Sequence, residues 1–286
     1  MNDYHEKYIG AADGLKLYVR DYPAQDQKKR TIFCLSGLTR NSLDYDHVAD
    51  QLNGLGHRVV TMDYRGRGYS DFDANWENYN PAVYVSDIFN VAAALGLHDC
   101  VLIGTSLGGL LSMAMCVASP GLVHSVVLND VGPDLDSNGV DKIIAYTGDG
   151  TSMGDLDGAV AKLKEHYKDE QGFIEADWRR IAQKTYKLEK GRYVPSWDVK
   201  IADSLRLNAA NSQDQDLWPY FYALANRHVL LVRGEVSGVF KRETYERMLR
   251  SLPNITGIEV KGVGHAPTLE EDAVHTALYN FLSDVA

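Results

Sequence analysis

Cysteine is scarce in this chain. There are three in 286 residues, Cys34, Cys100 and Cys116, each inside an apolar run. That excludes a disulfide framework and predicts buried free thiols in a reducing, cytoplasmic compartment. Positive charge is also short: 29 Lys and Arg against 39 Asp and Glu, a formal net charge of −10. Nucleic acid and anionic membrane surfaces both need a basic face, so neither is an expected partner. No apolar run approaches the roughly 20 residues of a membrane span. The polar start Met1-Asn2-Asp3-Tyr4-His5-Glu6 does not read as a signal peptide.

Cofactor signatures are equally thin. Gly66-x-Gly68 lacks the third glycine and the strand–loop–helix spacing of a dinucleotide site. Asp134-x-Asp136-x-Asn138-Gly139 opens like a calcium loop, but its twelfth position is Ala145, which cannot ligate. No Cys/His cluster has zinc spacing. No metal and no cofactor is expected, and the expected partner is a small-molecule substrate. Oligomeric state is not encoded in any pattern of the chain.

What is present is an ordinary globular composition with a clear alternation of elements. Short apolar runs predict strands over 4–9, 15–21, 31–35, 58–62, 100–103, 125–128, 228–232 and 256–260. Helical stretches fall over 44–54, 82–96, 110–118, 241–250 and 270–283. Alternation of this kind predicts an α/β fold, a mostly parallel eight-stranded twisted sheet with helices on both faces. The alternation stops after residue 133 and resumes near 218, with helical stretches at 157–168 and 173–189 and no convincing core strand. Residues 1–133 and 218–286 are therefore expected to form the core. Residues 134–217 are expected to form a helical lid inserted between the sixth and seventh strands.

The fifth strand runs into Gly104-Thr105-Ser106-Leu107-Gly108, the pattern G-x-S-x-G between a strand and a helix. A serine there sits at a sharp turn with its hydroxyl exposed, and the following helix aims its partial positive charge at the reacting group. The bland reading is a serine in any tight turn. A serine nucleophile needs a base, and histidine titrates near neutrality. Of nine histidines, His265 lies in Gly262-Val263-Gly264-His265-Ala266-Pro267, just after the last strand. Active sites of open α/β sheets lie at those carboxyl ends.

These motifs, with the loop Asp63-x-x-Gly66-x-Gly68-x-Ser70, resemble the α/β-hydrolase superfamily over nearly the whole chain. The resemblance implies an oxyanion hole of two backbone N–H groups, Leu107 after the nucleophile and Leu38 in the loop after the third strand. Many members have His-Gly in that loop, where this chain has Ser36-Gly37. Most members also carry a catalytic carboxylate three or four residues past a glycine after the seventh strand. Counting from Gly234 gives Ser237 and Gly238, neither of them acidic. Three readings stay open: Asp130 at the end of the sixth strand, as in some relatives; Glu235; or no acid, naturally or by substitution at Gly238. A turn-forming role competes for Asp130 within Asn129-Asp130-Val131-Gly132-Pro133.

The expected activity is a serine hydrolase of small or medium apolar esters, lactones or related carbonyl compounds, working through an acyl-enzyme. Two alternatives are C–C bond hydrolysis of vinylogous diketones and a non-catalytic ligand-binding protein on the same fold. Trp178 and Trp197 either pack the lid's own core or line a substrate pocket over Ser106.

Overall fold

The computed structural model describes residues 3–134, 137–167, 173–211 and 216–285. Its strands are β1 (His5–Gly10), β2 (Lys16–Tyr22), β3 (Ile32–Leu35), β4 (Val59–Met62), β5 (Cys100–Thr105), β6 (Val123–Asn129), β7 (Tyr186–Glu189), β8 (Arg192–Pro195), β9 (His228–Gly234) and β10 (Ile255–Val260). Eight of them form one sheet in the order β1-β2-β4-β3-β5-β6-β9-β10. The β1/β2 and β2/β4 pairs are antiparallel and the others parallel. The parallel strands are apolar on both sides, as burial on both faces requires.

Pleating sends alternate residues to opposite faces. Ile32, Cys34, Val101, Ile103 and Val127 pack with Val48 and Leu52 of α1 (Asp46–Gly54) and with Leu278 and Phe281 of the C-terminal helix Asp272–Val285. Phe33, Leu35, Leu102, Val126 and Leu128 pack the other way. There they meet Ile88 and Val91 of α2 (Pro81–Leu95) and Leu111 and Met115 of α3 (Leu107–Ala118). Helix α2 opens on an Asn80 cap to Val83 N–H with Pro81 in its first turn, and stops at Gly96, whose φ of 63° is left-handed. Cys34, Cys100 and Cys116 are all buried free thiols, and burial pushes Cys100 up to about 12.

Between β6 and β9 the chain forms α4 (Ser137–Thr147), α5 (Leu156–His166), α6 (Glu175–Thr185), the hairpin β7–β8, α7 (Ile201–Asn211) and α8 (Trp218–Tyr222). The chain leaves and re-enters the core at one neck. There the Trp218 indole N–H donates to Asp134 Oδ1 at 2.7 Å, and the Thr244 hydroxyl donates to Asp134 Oδ2 at 2.7 Å. The last helices are α9 (Arg242–Ser251) and α10 (Asp272–Val285).

One expectation about this insertion needs correction. The helix expected over 173–189 ends at Thr185, and Tyr186–Glu189 instead pairs antiparallel with Arg192–Pro195. Lys190 and Gly191 turn the hairpin with φ of 49° and 77°, which a helix cannot contain. Residue 168, the expected end of the preceding helix, and Asp136 of the calcium-like stretch lie outside the described residues. A second correction is in the core: α3 starts at Leu107, three residues before the expected position 110.

Candidate active site

The turn from β5 into α3 is built by what its glycines lack. A Cβ on Gly108 would lie 1.9 Å from Leu35 O, and one on Gly104 would lie 2.4 Å from Gly108 O. Both backbones approach so closely that only hydrogen fits. Ser106 caps α3 with φ 52° and ψ −116°, a strained conformation for a residue with a side chain. The Ser106 N–H is held by Asn129 O at 2.9 Å. The hydroxyl is partly exposed at the carboxyl rim of the sheet.

Asp130 follows the last residue of β6. Its φ is 53°, a left-handed conformation that aspartate tolerates, and its N–H donates to Val232 O at 2.8 Å. Turn former and carboxylate are thus the same residue. Its side chain is fully buried. Oδ1 accepts from Gly234 N–H at 2.8 Å, and Oδ2 accepts from the Ser237 hydroxyl at 2.6 Å.

His265 reaches both residues. Its Nδ1 lies 2.7 Å from Asp130 Oδ2 and its Nε2 lies 3.0 Å from Ser106 Oγ. A carboxylate only accepts, so the partners assign the proton to Nδ1 and leave the Nε2 lone pair facing the hydroxyl. The loop that carries His265 folds back over the end of β9. A Cβ on Gly234 would lie 2.2 Å from Gly264 O, which makes glycine obligatory there. Asn129 pins the same loop by donating to Pro267 O at 2.9 Å and to Thr105 Oγ1 at 3.0 Å.

Glu235 goes elsewhere. Its carboxylate accepts from Gly262 N–H at 2.8 Å, while the carboxylate on the His265 ring is that of Asp130.

Leu107 is the first residue of α3, where a helix leaves its N–H groups without intrahelical acceptors. Leu38 sits in the loop after β3, next to Gly37, whose missing Cβ would lie 3.8 Å from the Ser106 Cβ. The Leu38 peptide is held from behind by Arg67, whose Nε–H donates to Leu38 O at 2.8 Å. Arg67 is fully buried and lies over the Tyr84 ring, 4.6 Å from its centroid. Asp63 ties two loops together by accepting from Ser42 N–H at 2.6 Å and Tyr69 N–H at 2.8 Å. Burial pushes its carboxyl up to about 6.

The insertion is fastened to these same loops. Asn41 donates to Lys184 O at 2.9 Å and to Ser196 Oγ at 3.2 Å, and Arg40 donates to the Thr185 hydroxyl as well as to Asp44. Gly68 N–H donates to Ser196 O at 2.7 Å. Trp178 is buried and meets Phe173 edge-on at 5.3 Å. Trp197 is buried between Tyr146 and Tyr186, and its indole N–H donates to Thr147 O at 2.8 Å. Both indoles pack the insertion itself. Tyr146 stacks on His166 at 3.7 Å.

Three contacts do not follow from the sequence reading: Ser237 on Asp130, Arg67 on Leu38, and Asn41 between core and insertion. Arg67 had a weak signal, an arginine between two glycines that each carry positive φ. Ser237 falls at a position counted for the family's acid but carries a hydroxyl, and Asn41 has no signal.

Comparison with known proteins agrees with the architecture. The alpha/beta hydrolase fold model matches residues 30–272. A 3-hydroxybutyrate-oligomer hydrolase of Cupriavidus necator is 33% identical over 251 residues, 85% of each chain. A 2-(acetamidomethylene)succinate hydrolase of Mesorhizobium japonicum is 28% identical over 232 residues, covering 80% of this chain and 79% of that one. The crystal structure of an alpha/beta hydrolase from Novosphingobium aromaticivorans superposes with a TM-score of 0.93 at 35% identity, covering 100% of both chains. Among the described residues no helix is long and apolar enough to cross a membrane. With the sheet order, the tight turn at Ser106 and these relatives in hand, the chain belongs to the alpha/beta hydrolase fold family and is a hydrolase.

Proposed function

We propose that the protein is a serine hydrolase that cleaves carboxylic esters through an acyl-enzyme. The observation that carries this reading is the unbroken contact chain from the Ser106 hydroxyl through His265 to the buried Asp130. In it Ser106 Oγ attacks the carbonyl carbon while His265 Nε2 takes the hydroxyl proton. Asp130 holds the ring in the tautomer that can accept and offsets the imidazolium charge that forms. The Leu38 and Leu107 N–H groups take the oxyanion, a contribution of about 3 kcal/mol for each donor of this kind. His265 returns the proton to the leaving alcohol. It then activates a water that releases the acyl group.

The substrate class is drawn from a relative that is 33% identical over 85% of each chain. Its name says that it hydrolyses oligomers of 3-hydroxybutyrate, which are esters of a short hydroxy acid. We read this chain as acting on short esters of that kind, with residues 134–217 as the lid over the site. The lid's anchoring to the Leu38 loop through Asn41 and Arg40 supports the reading, because those contacts let the insertion bear directly on the oxyanion side. The non-catalytic alternative drew its force from the absent carboxylate after β9, and a carboxylate on His265 removes that motive.

The test is labelling with a fluorophosphonate probe, followed by turnover of p-nitrophenyl butyrate and of the linear dimer of 3-hydroxybutyrate. Labelling that disappears in Ser106→Ala, together with ester turnover, is the expected result. A protein that resists the probe, or whose labelling survives the substitution, contradicts the proposal. Turnover of a vinylogous diketone in preference to both esters would move the reading to C–C hydrolysis.

A further inference from the structure

Asp130 Oδ2 accepts two hydrogen bonds, one from His265 and one from Ser237. The second is unusually well directed. A hydroxyl has one proton and two lone pairs. Ser237 Oγ receives Val239 N–H at 3.2 Å and Phe240 N–H at 3.1 Å. With two backbone donors on its lone pairs, its proton has one acceptor left, Asp130 Oδ2 at 2.6 Å. The residue is nearly buried, so water does not compete freely for that proton.

We propose that Ser237 is a positioning residue of the catalytic carboxylate, a fixed donor that keeps Asp130 aimed at His265. The inference rests on the reading of Ser106, His265 and Asp130 as the reacting chain. Gly234 N–H fixes Oδ1 and Ser237 fixes Oδ2, so the carboxylate is clamped at both oxygens. Rotation about its χ2 then breaks one of two charge-assisted bonds, which are about twice as strong as neutral ones. The clamp holds Oδ2 in place as the acceptor for His265 Nδ1–H. Without the clamp the carboxylate rotates, and the imidazole loses orientation at the moment it must receive the Ser106 proton. The loop after β9 thus still serves the acid, though with a hydroxyl in place of a carboxylate.

The test compares Ser237→Ala and Ser237→Thr with the unchanged enzyme, using p-nitrophenyl butyrate and proton NMR of the imidazole N–H region. Ser237→Ala is expected to lower kcat about tenfold with KM nearly unchanged, and to move the low-field Nδ1–H resonance of His265. Ser237→Thr keeps the hydroxyl and is expected to restore both. An unmoved resonance and unchanged kcat in Ser237→Ala overturn the inference. So does a loss that threonine fails to restore while circular dichroism shows a folded protein. Ser106→Ala run in parallel separates the failures: if it retains turnover, the reading of the reacting chain is wrong, whereas if it is inactive and Ser237→Ala is normal, only the clamp is wrong.

Discussion

The rim that carries Ser106, Asp130 and His265 and the insertion beside it are held by different means. At the rim, backbone meets backbone: Gly108 against Leu35 O, Gly104 against Gly108 O, Gly234 against Gly264 O, each with no room for a Cβ. Packed main chain does not drift, because its neighbours are themselves locked in sheet and helix. The insertion is held largely by side chains, by Asn41 and Arg40 reaching across to α6 and to Ser196 after β8 and by the aromatic contacts of Tyr146, His166 and Trp197, beside two main-chain bonds, Gly68 N–H to Ser196 O and Asp198 N–H to Gly66 O. Side-chain contacts are individually replaceable. A chain built this way can vary its insertion without moving Ser106, His265 and Asp130.

The largest effect that sharpens this contrast comes from the buried carboxylate of Asp130 at the rim. Asp130→Asn keeps the shape and the acceptor for Gly234 N–H, yet presents an amide to His265 Nδ1 and favours the wrong tautomer. The expected loss in kcat is about 10⁴-fold, by analogy with other triads, with a melting temperature close to the parent. Steady-state kinetics on p-nitrophenyl butyrate beside a thermal scan reads both. A loss below tenfold would mean the ring is oriented by something else.

Next come the glycines, where the rim's packing is itself the target. Gly108→Ala puts a methyl group 1.9 Å from Leu35 O. Either α3 moves away from β3 or the chain loses about 3 kcal/mol, the upper part of the usual overpacking range. Gly238→Ala is the matched control: a Cβ there meets nothing within 4 Å, and no positive φ opposes it. Urea denaturation should separate the two variants by most of that difference. Equal midpoints would remove the argument that backbone contact sets the rim.

Much of this contrast could be read from the chain before folding. Ser106 and His265 stand out because each is flanked by glycines after an apolar strand. The parallel core stands out because Ile32–Leu35 and Val101–Ile103 are apolar on both faces. Asp130 was harder, since Asn-Asp-Val-Gly-Pro reads as a turn, and its positive φ shows that it is one. Its second role depends on β9 lying next to β6, a pairing no local pattern states. The start of α3 was placed late because Gly108 and Gly109 look like loop residues. Their missing side chains are what allow a helix to begin against Leu35. Tyr186–Glu189 fits a helical period as well as a strand, and only the turn at Lys190-Gly191 decides it. Ser237 and Arg67 act through partners 107 and 29 residues away, and the local pattern around each does not name that partner.

Cutting one side-chain fastener of the insertion should have a smaller effect and a different kinetic signature. Asn41 is almost fully buried, and its amide serves Lys184 O and Ser196 Oγ. Asn41→Ala leaves those acceptors without their donor, at a cost of about 1–2 kcal/mol. Because Ser106, His265 and Asp130 keep their own packing, the proposed chemistry predicts that KM rises more than kcat falls. An equal fall in kcat with KM unchanged would show that the insertion's anchorage sets the chemistry as well as access.

The smallest effect lies at the opposite end of the strands. His57 is buried just before β4, and its Nδ1–H donates to Arg30 O at 2.8 Å. Burial lowers its affinity for a proton below the usual histidine value. The sign follows by linkage: the unfolded chain takes up a proton as pH falls through about 6.5, while the folded chain still resists it. The stability that His57 contributes is therefore full above that pH and is lost as pH falls toward the depressed folded value. His57→Gln should flatten this part of the stability profile, measured by urea denaturation between pH 7.5 and about 5. It should leave the pH dependence of turnover superimposed on the parent's, because the ring is remote from Ser106. A shifted turnover profile would mean that the two ends of the sheet are coupled, and that the rim is less independent than its packing implies.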